Sequence, residues 1–122
     1  MIIKHITLEE QIKFLKNNAK TKEMMIIPKK GTYWGLYHLD MLVGTIGFVE
    51  TTNYHKIDCH YVLESFRKSG FGKILFDFVL SEIGNKNIMA YATNDSIRFY
   101  KNNGFTILKE YSKTYKVWRE RK

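Results

Sequence analysis

Arg67-Lys68-Ser69-Gly70-Phe71-Gly72 constrains this chain more than any other stretch. A strand-like run, Lys56 to Leu63, precedes it, and an amphipathic helical run, Phe71 to Ile83, follows. Gly70 and Gly72 permit a tight turn and remove side chains that would block a phosphate. The helix then begins with backbone N–H groups that have no intrahelical partner. Those groups point at whatever occupies the turn, which makes an anion site.

The rest of the chain supplies a sheet to carry that turn. Met1 to Thr7 alternates loosely and reads as a strand. Thr7-Leu8-Glu9-Glu10 is a capping box that opens a helix lined by Leu8, Ile12 and Leu15 and frayed at Asn17-Asn18. Lys20 to Gly31 is weakly patterned, with Pro28 and Gly31 as breakers. Thr32–Leu39 and Leu42–Thr51 are rich in aromatic and β-branched residues and read as a hairpin turning at Asp40-Met41. In Lys56–Leu63, alternation sets Ile57, Cys59, Tyr61 and Leu63 on one face, with Asp58, His60, Val62 and Glu64 on the other. Phe71, Ile74, Leu75, Phe78, Val79 and Ile83 then fall at helical spacing, stopped by Gly84-Asn85. Asn87–Ala92 is a strand, Asp95–Asn103 a helix closed by a left-handed Gly104, and Phe105–Lys109 and Tyr111–Trp118 are closing strands. The order β-α-β-β-β-α-β-α-β-β predicts an α/β (α+β) mixed sheet of six to seven strands with helices on both faces. The helical crossover makes Lys56–Leu63 and Asn87–Ala92 parallel neighbours.

At 122 residues the chain has material for one domain, residues 1–122, with a single modest core. Hydrophobic content of 44% and aromatic content of 15% fit a folded domain and argue against a disordered tail. No apolar run reaches a membrane span, and Met1-Ile2-Ile3-Lys4-His5 lacks the features of a signal peptide. The lone Cys59 suits a reducing compartment, so the expected location is cytoplasmic. The net charge is +8, with 16 Lys and 4 Arg against 12 acidic residues. That balance has two readings: an acidic partner such as nucleic acid, or the Lys-rich composition of an A/T-rich genome. The scarcity of Arg disfavours sequence-specific DNA reading.

A second segment, Phe99-Tyr100-Lys101-Asn102-Asn103-Gly104-Phe105, closes the short helix thirty residues beyond the glycine turn. The two segments, in this order, resemble the GNAT family of acetyl-CoA-dependent N-acetyltransferases, and the likeness runs from Met1 to Trp118. Val62 to Lys73 looks like that family's cofactor segment, with Glu64 where the family often has proline. The resemblance implies that backbone groups of His60, Tyr61 and Val62 bind the pantetheine arm of acetyl-CoA. It also implies that Lys68, Ser69, Gly70, Phe71, Gly72 and Lys73 wrap the pyrophosphate, with Arg67 nearby. Independently of any family, a diphosphate needs such a nest of amides and cations at a helix start.

By the same resemblance Tyr100 sits beside the cofactor sulfur and returns a proton to the thiolate, so that CoA leaves as product. A phenol of pKa ~10 suits that exchange. The competing reading makes Tyr100 a packing residue beside Phe99 and Phe105. Where the family often places an Asn for the pantetheine arm, this chain has Thr93, with Asn94 one residue later; either side chain fits the role. A general base would come from Asp58 or His60, with Glu50 and Glu64 as competitors. Good positioning with no single base is the alternative.

Metal chemistry is not expected: alternation separates Cys59 from His60, and no second cluster completes a ligand set with His55 and Asp58. Cys59 reads as a core residue, and Tyr33, Trp34 and Tyr37 as packing on two sheet faces. By the same resemblance, Lys20 to Gly31 stands where the family usually has a further helix walling the acceptor site, and so short a wall implies a shallow acceptor groove. A small-molecule amine or a protein or peptide amine is preferred as acceptor over nucleic acid. The alternatives are a nucleic-acid-modifying or nucleic-acid-binding GNAT-like protein of the phage DNA-modification type, and a non-catalytic CoA-binding protein. The apolar Met24-Met25-Ile26-Ile27 run would suit burial by a second subunit in a homodimer; no membrane partner is expected.

Overall fold

Thr7 and Glu10 start the first helix through the reciprocal bonds that their spacing predicts. Thr7 Oγ1 accepts the Glu10 N–H at 3.0 Å, and Glu10 Oε1 accepts the Thr7 N–H at 2.9 Å. Two donors that the helix itself cannot satisfy are thereby paired. A computed structural model describes residues 1–18 and 30–122. The elements are β1 (Ile2–Ile6), α1 (Leu8–Asn18), β2 (Thr32–His38), β3 (Met41–Glu50), β4 (His55–Val62), α2 (Phe71–Ile83), β5 (Ile88–Thr93), α3 (Ile97–Asn102), β6 (Thr106–Glu110) and β7 (Thr114–Arg119). A 3₁₀ segment, Glu64–Ser69, fills what the sequence reads as a plain turn before α2. The Met24–Ile27 run and nearly all of the weakly patterned stretch containing it lie outside the described residues.

The strands form one mixed seven-stranded sheet in the order β1-β2-β3-β4-β5-β7-β6. The chain divides into two compact units, residues 1–49 with 57–82 and residues 50–56 with 83–122. In the first unit, β1, β2 and β3 are antiparallel, from Ile2↔Tyr37 to Ile6↔Tyr33 and from Thr32↔Phe48 to His38↔Met41. The hairpin turns on Leu39 and Asp40, with φ of 51° and 65°, one residue earlier than the sequence suggests. A two-residue turn matching the strand twist requires two left-handed residues, and Leu39 gives no sign of being one.

Helices cover both sheet faces of this unit. On one face Phe14 and Leu15 of α1 pack with Ile6, Tyr33, Cys59 and Tyr61. On the other, Phe78 of α2 meets the Trp34 ring edge-on at 5.3 Å. A Cβ on Gly44 would stand 3.0 Å from Leu75 Cδ1, so glycine there lets α2 approach β3 closely. Leu75, Phe76 and Val79 are fully buried, each contributing roughly 1.5–3 kcal/mol. Tyr33 and Trp34 point to opposite faces, as strand alternation requires.

In the second unit, β7 lies antiparallel between β5 and β6. The first two residues of β4 pair in parallel with β5, His55↔Ile88 and Lys56↔Met89, as the crossover rule demands. Ile88, Ala90, Ala92 and Val117 are buried. Gly104 ends the α3 segment at φ +86°, the left-handed position that glycine adopts without strain. No helix among the described residues is long and apolar enough to cross a membrane.

Candidate functional site

The glycine turn is an elbow held by aromatic rings. Gly70 takes φ +81° as the left-handed cap of the 3₁₀ segment, and α2 starts at the next residue. Phe66, before the elbow, and Phe71, after it, stack at 5.9 Å with 20° between their planes. Both rings pack on His38 of β2, at 5.9 and 5.5 Å. These rings fix the elbow to the sheet while Gly70 itself carries no side chain. No atom lies within 4 Å of where a Gly70 Cβ would stand. Gly70 O accepts the Ile74 N–H at 3.1 Å, so the helix is already wound at its first turn. A helix leaves its first-turn amides without intrahelical partners, and those of α2 start beside exposed Lys68 and Ser69.

Two of the basic residues around the elbow have structural work. Arg67 Nε donates to Val62 O at 2.8 Å, and its guanidinium lies 5.0 Å from the Tyr61 ring centroid. Arg67 therefore ties the elbow back to the end of β4. Lys73 Nζ pairs with Asp77 at 2.6 Å, one helical turn on. Leu63 donates its N–H to Val43 O at 2.8 Å and anchors the strand end on β3.

Inside β4 the pleat is interrupted. Cys59 has φ +57°, a left-handed residue within a strand, which costs a side-chain-bearing residue on the order of 1–2 kcal/mol. Its carbonyl accepts from Thr45 Oγ1 at 3.2 Å and Gln11 Nε2 at 3.4 Å, both buried. Gln11 sits on the buried face of α1 where an apolar residue would be ordinary, and the turned carbonyl explains its presence. A left-handed residue breaks the strict alternation by which Asp58 and His60 would share a face. Asp58 is buried.

His60 stands against the start of α2. Its Nε2 is 3.0 Å from Gly72 O, and its ring stacks on Phe76 at 6.3 Å. A carbonyl oxygen only accepts, so Nε2 carries the proton and Nδ1 is the basic nitrogen. Burial pushes the imidazole pKa down to about 4, against the bond to Gly72, which raises it. His60 is therefore neutral at pH 7. The stability that this provides is present above the unfolded value of ~6.5 and lost as pH falls towards 4. Replacing His60 by Gln, which can still donate to Gly72 O, should flatten that acid limb. Urea midpoints at pH 7 and at pH 4.5 for parent and variant measure it, and identical slopes would exclude His60 as the source.

In the second unit Tyr100 is buried in α3, with its ring edge-on to Phe99 at 6.3 Å and to Phe105 at 5.1 Å. Burial raises its phenol pKa above the ordinary value. Thr93 and Ser96 form a reciprocal turn before α3: Thr93 N–H donates to Ser96 Oγ at 2.9 Å, and Ser96 N–H to Thr93 Oγ1 at 3.3 Å. Asn94 Oδ1 accepts from Tyr115 OH at 2.7 Å, which leaves the amide nitrogen as its donor end. Glu50 lies 3.8 Å from His55 and is exposed, as is Glu64.

Among the expected site residues, the first unit brings His60, Val62, Arg67 and Gly72 together around the elbow, while the Tyr61 ring turns to the α1 face and its hydroxyl donates to Asn18 O at 3.1 Å. His38, Gln11 and Thr45 are not marked by the sequence pattern, although the Phe66 and Phe71 pair flanking the turn is visible in it and calls for a partner such as His38; nothing in the sequence marks Cys59 as left-handed.

A family model for the acetyltransferase (GNAT) domain matches residues 29–107, and the chain belongs to that family. Escherichia coli ElaA is similar in structure, with a TM-score of 0.74 at 14% identity over 98% of this chain and 99% of that one. Ard1 from Thermoplasma volcanium superposes with a TM-score of 0.72 at 22% identity over 97% and 95%. N-acetylglutamate synthase from Neisseria gonorrhoeae, solved with coenzyme A and L-arginine, gives 0.74 at 16% identity over 98% of this chain and 33% of that one. At these identities the likeness is one of fold. A comparison with curated proteins gave no match.

Proposed function

We propose that residues 1–122 act as one acetyl-CoA-dependent N-acetyltransferase domain, which passes an acetyl group to an amine by direct attack. The observation that carries this reading is the open left-handed elbow at Gly70, set at the start of the thirteen-residue α2. A diphosphate fits such a place: space where a Cβ would stand, first-turn amides that a helix cannot pair within itself, and Lys68 alongside. Bound acetyl-CoA would supply an activated thioester.

The chain's own groups then have separable tasks. Amides of Gly70 to Lys73, with Lys68 and Ser69, hold the diphosphate, and Arg67 acts mainly by fixing the elbow to Val62. Backbone groups of His60, Tyr61 and Val62 hold the pantetheine arm, with Thr93 or the Asn94 amide nitrogen as further donors. His60, with Nδ1 as its basic nitrogen, and buried Asp58 are the candidate proton acceptors for the amine; with the imidazole pKa lowered to about 4, transfer rests on positioning more than on base strength. Tyr100 keeps its proton at neutral pH and returns one to the departing sulfur. The acceptor is an amine of a small molecule or a peptide.

Thermal unfolding with acetyl-CoA, CoA and adenosine tests the reading. At a hundredfold excess over the dissociation constant, either thioester or thiol form should stabilise by ~2.7 kcal/mol. No shift with either would overturn it. A shift without transfer to any amine in a broad screen would favour a CoA-binding protein that does not catalyse.

A further inference from the structure

The positive charge of this chain is not spread evenly. Residues 50–56 with 83–122 carry ten Lys and Arg against four Asp and Glu, so this unit holds +6 of the chain's +8. Lysines themselves divide seven in this unit to nine in the other, so the excess comes from three of the four arginines and from few acidic residues.

Part of that charge lies on one sheet face, interleaved with aromatic rings. Register sets Tyr91 of β5 opposite Lys116 of β7, and Lys116 opposite Lys109 of β6. Directly paired residues share a face. Trp118, two residues beyond Lys116, shares it and meets Tyr54 edge-on at 5.6 Å. Tyr91 and Tyr111 are 41% and 43% exposed, with their rings 6.4 Å apart. Each ring has an ammonium over it, Lys56 at 5.5 Å from Tyr91 and Lys109 at 5.2 Å from Tyr111. The other face carries α3: Arg119, in register with Ile88, lies over Phe105, which packs on Tyr100.

From this we infer that the face bearing Lys56, Tyr91, Tyr111, Lys109 and Lys116 binds single-stranded nucleic acid. Exposed tyrosines offer stacking to unpaired bases, and the flanking ammonium groups neutralise the phosphates between them. A duplex hides the base faces that these rings would reward, and lysines without Arg give no guanine-edge reading, so the expected binding is single-stranded and tolerant of sequence. The inference stands independently of acetyl transfer.

Fluorescence anisotropy with labelled oligothymidylate about fifteen nucleotides long tests it, at about 50 and about 200 mM salt. Affinity should fall with salt at a logarithmic slope of about 0.7 per phosphate neutralised, giving about 2 for the three lysines. Lys109→Gln with Lys116→Gln should lower that slope by about 1.4. Tyr91→Leu and Tyr111→Leu should leave the slope alone and weaken binding at least about fivefold each. Lys13→Gln with Lys16→Gln, on α1, should change nothing. Unaltered far-ultraviolet dichroism certifies that each surface variant is folded. Absence of binding at the lower salt, equal affinity for a duplex of the same length, or tyrosine variants that bind like the parent would each overturn the assignment.

Discussion

Gly70→Glu should abolish coenzyme A binding while the protein stays folded. The folded outcome follows from space: nothing lies within 4 Å of the position a Cβ would take. The cost is one of backbone, since φ is +81°, and a side chain in the left-handed region loses about 1–2 kcal/mol. Loss of binding follows from charge. A carboxylate beside the first-turn amides of α2 would take the place of the diphosphate and repel it, and like charges set together cost several kcal/mol. That corresponds to more than ~100-fold in affinity. Gly70→Asn separates the two effects, because asparagine tolerates the left-handed region and brings no charge. It should bind coenzyme A within about tenfold of the parent. Calorimetric titration of both variants reads the difference, and Gly70→Glu binding with parental affinity would remove the elbow from the phosphate site.

The elbow was legible in the sequence because glycine spacing and helical periodicity are local signals, and both survive folding unchanged. The helix over Phe71–Ile83 has the same bounds in the structure as in the sequence pattern. The capping box at Thr7 and the left-handed Gly104 were legible for the same reason. What holds the elbow was less so. His38 reaches Phe66 and Phe71 only after β2 is laid in the sheet, a contact made across some thirty residues. The left-handed Cys59 had no local signal either, since the bonds from Gln11 and Thr45 that accompany it come from another helix and another strand. Alternation through β4 therefore placed Asp58 and His60 together on an argument that the break at Cys59 undoes. The assignment of Arg67 to phosphate had a similar limit: spacing brings a guanidinium to the turn, but only the fold reveals that Val62 O takes it.

Tyr100→Phe should lower turnover by ~10²–10⁴-fold while coenzyme A affinity changes little. Phenylalanine keeps the edge-on contacts with Phe99 and Phe105, so the ring's packing contribution remains and the proton is what is lost. Burial raises the phenol pKa, which has two consequences of opposite use. The group is fully protonated at any ordinary assay pH, so its proton is always available. It is also a weaker acid than free tyrosine, so transfer to sulfur gains only where the thiolate is similarly deprived of water. Turnover should accordingly show no alkaline loss attributable to Tyr100 below pH ~10. Stability gives a readout that needs no acceptor. A raised folded pKa contributes stability that is present below the unfolded value of ~10 and lost as pH rises through the folded one. The parent should therefore lose more stability than Tyr100→Phe between pH ~9 and ~11, measured by thermal melting. If that difference is seen but turnover stays within a few-fold, Tyr100 is a buried packing residue and water returns the proton to sulfur.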